Sequence, residues 1–480
     1  MNSIGRKIAN GTLWMFVETW GHQIMVFLLF VILARLLGPS AIGLAALAMS
    51  APIIFAVPVT KGIPEAIIQR PHLTDLHLDS AFWLLVGSGA CLAAVVWLSS
   101  DLIAAAFGEP TLASLVRFTG IVIVAQSISA VPTALLKREL DFRLLTLRTL
   151  IGTLCGGIVG ISLAIAGFGV WSIIWMLITR ALLEPTILLL AGNWRPSFKF
   201  SLRHCRDLQG FAAPIVGFSL WQYINDEIPK VILGAVLGPA AVGIYVVARR
   251  PVELLSNAIL GPISGVVMPA VSRLQNDKAK LDLFFDKSLR WAMLAGFPAF
   301  LGLAAIAPDI IPLVFDEQWV SSIGPAQIIL LLGLVRSVDC VCGGTILALG
   351  QSRPILMLNI MYSFMAGAAI LFTARISIEA TMWAIVACNA VLVPPLLYYA
   401  HQLASIDVLK PLRMLPRLVL ATLAMLIGVA MWRHLVGDTG APVVILSTIA
   451  VGGLTYIIAV IMLLRPDLLS ARDLIVKTRG

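Results

Sequence analysis

Residues Ile32–Ala48 read I-L-A-R-L-L-G-P-S-A-I-G-L-A-A-L-A, and Ile232–Ala248 read I-L-G-A-V-L-G-P-A-A-V-G-I-Y-V-V-A. The two stretches align without a gap at an offset of 200 residues, with eight of 17 positions identical and four more exchanged between aliphatic side chains. Composition this biased yields about one or two identities by chance, so the pair is an internal repeat. In both copies an apolar run stops at Gly-Pro and another begins, which marks the junction of two helices.

The surrounding chain is apolar throughout. Of 480 residues 59% are hydrophobic and 12% charged, with a mean hydropathy of +0.97, against roughly 25% charged residues in a soluble domain. That excludes a soluble globular protein and also disorder, coiled coil and collagen. A bilayer core about 30 Å thick takes about 20 apolar residues per helix. Cutting at charged and Gly/Pro-rich interruptions leaves about 14 segments: 12–37, 39–60, 80–99, 112–134, 146–168, 169–192, 210–237, 239–261, 288–308, 325–349, 354–374, 378–402, 413–433 and 441–464. The chain is therefore expected to be an all-α polytopic membrane protein. Arg6 and Lys7 lead into a long apolar stretch without a small-residue cleavage site, so the first segment is not read as a signal peptide.

Six segments lie between corresponding points of the repeat, an even number, so both halves cross the membrane in the same sense. This predicts two parallel-repeat six-helix lobes, 1–204 and 205–405, around a central cavity, with two extra C-terminal helices in 406–480. With both termini cytoplasmic, 25 of the 34 Lys and Arg fall on the inner side, among them Lys137, Arg138, Arg143 and Arg148 in one connection. Four are then outside (Arg35, Arg117, Arg375, Arg433) and five within helices (Arg180, Lys230, Arg249, Arg250, Arg336), the asymmetry of the positive-inside rule. The pI near 9.4 is thus explained by loops, and no nucleic-acid partner is expected. No connection exceeds about 25 residues, which leaves no room for a catalytic domain outside the membrane.

The six cysteines are scattered, mostly in apolar segments, so no disulfide framework is visible. Cys340 and Cys342 point about 200° apart on a helix and make a poor metal pair. No metal site and no cofactor are expected, and G-x-x-x-x-G-K-[ST] is absent, so ATP is not used at a P-loop.

Helix breakers recur in both halves: Pro52, Pro58 and Pro64 after the first copy, Pro251, Pro262 and Pro269 after the second. Proline frees backbone carbonyls that protein or water must satisfy, so such helices either border a cavity or are kinked for tight packing. Gly152, Gly156, Gly160 and Ala164 read as a close-packing face.

An ionisable group in a bilayer costs about 2.5–3.5 kcal/mol or more, so each must pair or face water. Glu18, His22 and Gln23 share one segment, Arg180 and Glu184 another, and Arg336 and Asp339 a third. The latter two pairs fall at helical pairing distances and read either as neutralised packing pairs or as functional groups. Asp226 and Glu227 are within reach of Lys230. Arg249 and Arg250, about ten residues into a helix starting near Pro239, have only Glu253 in reach, which leaves one guanidinium over. An arginine at that depth is read as the seat of an anion such as phosphate, the alternative being a shift of the helix that places both in the headgroup region.

The passage from Trp221 to Arg250, W-Q-Y-I-N-D-E-I-P-K-V-I-L-G-A-V-L-G-P-A-A-V-G-I-Y-V-V-A-R-R, carries a family likeness. It is followed in order by M-P-A-V-S-R-L-Q (Met268–Gln275), F-P-A-F-L-G-L-A-A-I-A-P (Phe297–Pro308), L-V-F-D-E-Q-W (Leu313–Trp319) and L-A-L-G-Q (Leu347–Gln351). Over nearly its whole length the chain resembles the polysaccharide transporter family, which includes Wzx-type lipid-linked oligosaccharide flippases of the bacterial inner membrane. The superfamily also holds the multidrug and toxin extruders. The resemblance implies alternating access and an undecaprenyl-diphosphate-linked saccharide as cargo, handled beside membrane lipid and, in the cell, alongside a polysaccharide polymerase and export machinery. It also implies diphosphate binding by arginines of the second and eighth helices. Arg249 or Arg250 matches the eighth, whereas Met49 and Ser50 stand at the equivalent of the second, leaving Lys61 or Lys230 as substitutes.

Gln23, Trp221, Tyr223 and Asn225 are candidates to line a sugar-sized cavity, and Glu18, His22 and Asp226 are candidates for ion coupling. The rival readings are a multidrug or organic-cation antiporter, which calls for a carboxylate-lined cavity, and a membrane-embedded polymerase or ligase, which calls for a large outer loop.

Overall fold

The computed structural model describes the backbone of residues 2–192, 194–436 and 442–477, and the side chains of these except 2–10, 12, 209–214 and 465–477. Arg6, Lys7, Arg465, Arg472, Lys477 and Arg479, which weigh in the orientation, lie outside the described side chains. Among the described residues there is no strand. The principal helices are α1 (Asn2–Phe55), α2 (Asp75–Phe107), α3 (Pro110–Glu139), α4 (Phe142–Ile165), α5 (Trp171–Ala191), α6 (Leu202–Leu237), α7 (Pro239–Leu255), α8 (Gly261–Leu274), α9 (Lys278–Phe315), α10 (Leu332–Ala348), α11 (Ser352–Thr373), α12 (Ile378–Val391), α13 (Val393–Ala404), α14 (Leu415–Val436) and α15 (Pro442–Lys477).

Among the described residues twelve stretches are long and apolar enough to cross a membrane. The first of them, Leu13–Phe55, is two helices joined at Gly38, and α6 adds 36 residues, enough for about 54 Å of helix. The expected 14 segments are consistent with this inventory.

The repeat is visible in the backbone. Gly38 has φ 76° and ψ 177°, and Gly238 has φ 81° and ψ 178°, a region that essentially only glycine enters. Pro39 and Pro239 follow and start the next helix with a preset φ. The later prolines break both copies further. After Phe55 the first copy continues as short helices Val57–Thr60 and Ile63–Gln69, each with proline in its first turn. The second passes through a π-turn, Ser256–Leu260, before α8.

The chain forms two compact units, Met1–Gly243 and Ile244–Gly480. In the first, α2 packs along α3, α4 along α5, and α1 against α4 and α3. Its two repeat junctions meet reciprocally. A Cβ on Gly43 would stand 1.7 Å from the Pro239 carbonyl oxygen, and one on Gly243 would stand 2.0 Å from that of Pro39. Each copy thus lays its glycine on the other's proline carbonyl, as a two-fold axis would require. The connection after α5 is pinned to the start of α2. Asp79 accepts the Ser197 amide at 3.0 Å and the Ser197 hydroxyl, and Trp83 Nε1 donates to the Ser197 carbonyl at 2.8 Å.

In the second unit a core of Phe285, Leu289, Met293, Val341, Cys342 and Leu418 joins α9, α10 and α14. The two C-terminal helices are tied to α9 by polar contacts as well: Arg433 meets Asp309 at 3.0 Å, and the Tyr456 hydroxyl donates to the Leu294 carbonyl at 2.8 Å.

Candidate functional site

Every expected site residue is described, and each unit is taken by itself. In the second unit, α7 carries Tyr245, Arg249, Arg250 and Glu253 on successive turns. Arg249 Nε lies 3.2 Å from Glu253 Oε1, and Arg250 Nη1 lies 3.1 Å from Glu253 Oε2. Arg249 Nη1 also donates to the Tyr245 hydroxyl at 2.9 Å. The expectation of one guanidinium left over is therefore corrected. A carboxylate has two oxygens, and Glu253, at i+4 and i+3, gives one to each arginine. The arginine side chains are 17% and 23% exposed and that of Glu253 35%, so the cluster is only partly withdrawn from its surroundings. Tyr362 of α11 lies within electrostatic reach of Arg249.

On α6 the charges are arranged differently. Lys230 Nζ is 2.5 Å from Glu227 Oε1, while the Ser50 hydroxyl donates to Glu227 Oε2 at 2.6 Å. Glu227 is buried, so both partners compensate a carboxylate withdrawn from water. Ser50 is the repeat counterpart of Arg250. Where the second copy holds a cation, the first holds a small donor serving α6. Lys230 is thus engaged with Glu227, and Lys61 sits 3.9 Å from Glu65. Along the same helix Trp221 and Asn225 are half-buried, while Tyr223 and Asp226 are exposed.

A further group lies in the first unit. Glu18, His22 and Gln23 are half-buried on α1. Glu18 Oε1 accepts a hydrogen bond from Thr149 of α4 at 3.3 Å. Arg180 Nε and Glu184 Oε1 pair at 2.9 Å on α5. The face of Gly152 and Gly156 makes room for that pair: a Cβ on Gly152 would stand 3.3 Å from Glu184 Cγ, and one on Gly156 3.3 Å from Arg180 Cβ. Arg148, read from sequence as a loop cation, is instead half-buried. It donates to Thr133 Oγ1 at 2.8 Å and lies in electrostatic reach of Glu184, Glu18 and Arg180. A basic residue at a segment edge looks the same in sequence whether it turns inward or outward.

For Arg336 and Asp339 the sequence leaves two readings open, a packing pair or functional groups. Among the described residues they form no ion pair. Arg336 Nη1 reaches Ser256 Oγ on the π-turn at 3.4 Å, whereas Asp339 keeps an exposed side chain. The π-turn is the element that sequence reasoning missed, and the Gly261-Pro262 dipeptide was its only signal. Among the described residues no three of His, Cys, Asp and Glu are grouped to hold a metal ion.

Broken, proline-punctuated spanning helices repeated in the same sense, with charges concentrated on a few of them, define a polytopic membrane transporter fold. Solved structures share it. The lipid II flippase MurJ in an inward closed conformation matches with a TM-score of 0.78 at 15% identity, covering 95% of this chain and 100% of that one. An inward-facing multidrug resistance MATE family transporter matches with a TM-score of 0.63 at 14% identity, covering 82% and 98%.

The chain belongs to the polysaccharide biosynthesis protein family, whose model matches residues 32–324. The lipopolysaccharide biosynthesis protein WzxC of Escherichia coli is 29% identical over 380 residues, 76% of this chain and 74% of that protein. The succinoglycan biosynthesis transport protein ExoT of Rhizobium meliloti is 25% identical over 461 residues, 94% and 92%.

Proposed function

We propose that this protein carries an undecaprenyl-diphosphate-linked oligosaccharide, a repeat unit of exopolysaccharide, capsule or lipopolysaccharide, from the inner to the outer leaflet of the bacterial inner membrane. The observation that carries the reading is the Arg249–Glu253–Arg250 cluster. It sets two adjacent guanidiniums about 15 Å along a membrane helix at 1.5 Å per residue, part-exposed, in a chain of the polysaccharide biosynthesis family. Planar guanidiniums suit phosphate oxygens, and a diphosphate can take both arginines in exchange for the single carboxylate they share. The names of the relatives, which place them in lipopolysaccharide and succinoglycan biosynthesis, support the same cargo class.

In this reading Arg249 and Arg250 bind the diphosphate, with Lys230 joining once Glu227 releases it. Gln23, Trp221, Tyr223 and Asn225 border the saccharide, and Glu18, His22 and Asp226 bind the coupling ion. The six-helix repeats, 1–204 and 205–405, rock to alternate access, with both termini in the cytoplasm. A polysaccharide polymerase and export machinery take the product. The chain acts as a transporter without a reaction of its own, and the gradient or the downstream consumption of cargo supplies the energy.

The test is reconstitution into vesicles. Undecaprenyl-diphosphate-hexose placed in one leaflet should become accessible in the other, and uptake of an organic cation should not be stimulated. Cation uptake without lipid translocation would replace this reading with the antiporter one.

A further inference from the structure

Asp339 stands apart from the other membrane-embedded charges. It lies on α10, nine residues before that helix ends at Ala348, and among the described residues its carboxylate makes no hydrogen bond and no ion pair. The charge that acts on it is Arg336, one turn back, whose Nη1 is directed to Ser256. Its side chain keeps accessible surface. A carboxylate open to hydrocarbon would cost several kcal/mol, which favours a water-facing setting for that surface. Gly343 keeps it free: a Cβ there would stand 3.3 Å from Asp339 Oδ1, where the described position holds none.

We infer that Asp339, with Arg336 beside it, is a saccharide-hydroxyl subsite, an inference that rests on the lipid-linked cargo of the proposed function. An ionised carboxylate only accepts hydrogen bonds and a guanidinium only donates them. Set one helical turn apart, they offer both halves of what neighbouring ring hydroxyls need. The same carboxylate repels a diphosphate, so Asp339 serves a different part of the cargo from Arg249 and Arg250. The separation fits. Arg336 touches Ser256, six residues beyond Arg250 and therefore about 9 Å farther along the helix axis at 1.5 Å per residue. A bound metal cation would call for several converging oxygens, and among the described residues Asp339 belongs to no group of three or more His, Cys, Asp or Glu that could hold one.

The experiment is equilibrium binding to the purified full-length protein of two probes, undecaprenyl-diphosphate-hexose and undecaprenyl diphosphate without sugar. Asp339→Asn, which keeps shape and loses charge, should weaken the sugar-bearing probe about tenfold and leave the bare diphosphate unchanged, while Arg249→Ala with Arg250→Ala should weaken both. Retained binding of the bare lipid doubles as the check that the variant is folded. Gly343→Ala, which crowds the carboxylate without changing charge, should follow Asp339→Asn with a smaller loss. An equal loss of both probes in Asp339→Asn, or no loss of either, overturns the subsite while leaving the flippase reading in place. Wild-type protein that binds neither probe overturns both.

Discussion

The two copies of the repeat agree closely in backbone and disagree in chemistry. Gly38 and Gly238 differ by 5° in φ and 1° in ψ, and Gly43 and Gly243 exchange the same close contact with each other's proline carbonyl. Eleven and twelve residues after those breaks, the first copy has Met49 and Ser50 and the second has Arg249 and Arg250. The shared part is governed by sterics, which admit glycine alone at both positions. The part that diverged is where side chains face polar groups. Ser50 there completes the coordination of a buried carboxylate, and the two arginines share the Glu253 carboxylate between them. A duplicated scaffold has thus kept its joint and placed its paired arginines in one copy.

Removing that chemistry should give the largest effect. Arg249→Ala combined with Arg250→Ala takes away two charge-assisted interactions, each worth about 1.5–3 kcal/mol, so diphosphate-lipid binding should fall by about a hundredfold or more and export should stop. Quantitative binding and a cellular export assay measure this at normal expression. The reciprocal change, Ser50→Arg, would place a second guanidinium beside Glu227 and should compete with Lys230 rather than recreate the second copy's site.

Next is the pair on α6. Lys230→Ala strands a buried Glu227 carboxylate and should destabilise the protein by about 3–5 kcal/mol. Adding Glu227→Gln should recover much of that loss in thermal unfolding. If Lys230→Ala unfolds like wild type, the α6 pair is not structural and the contrast with Arg249 and Arg250 fails.

The shared joint should respond alike in both copies. Gly43→Ala and Gly243→Ala each drive a methyl into a backbone carbonyl and should cost about 1–3 kcal/mol or more, with similar drops in melting temperature. A large cost at one and none at the other would contradict the reciprocal contact. The smallest effect belongs to Ser50→Ala, which removes one hydrogen bond from Glu227 and should cost about 1–3 kcal/mol while leaving diphosphate binding intact.

The joint was fully legible in sequence, because Gly-Pro and the flanking apolar runs depend on local sterics and hydrophobicity. So was the membrane character and the concentration of charge near Arg249 and Arg250. The pairing of charges was legible only where both partners share a helix and geometry leaves little choice, as with Arg180 and Glu184 or Glu227 and Lys230. Spacing permits a contact without requiring it: Arg336 and Asp339 are three residues apart, yet Arg336 turns to Ser256, 80 residues away. Long-range partners left no signal. Ser50 and Glu227 lie 177 residues apart, and a serine in an apolar segment reads as filler. Arg148 was placed in a loop because a run of four basic residues looks uniform until the fold turns one of them inward.

The central claim is that the second copy's arginines recognise a diphosphate. Its most direct test is equilibrium binding of undecaprenyl diphosphate, undecaprenyl monophosphate and an organic cation to the wild-type protein and to the Arg249→Ala, Arg250→Ala double variant. The account predicts saturable binding that favours the diphosphate and is lost in the variant. Binding of the cation in preference to either lipid, unchanged by the two substitutions, would contradict it.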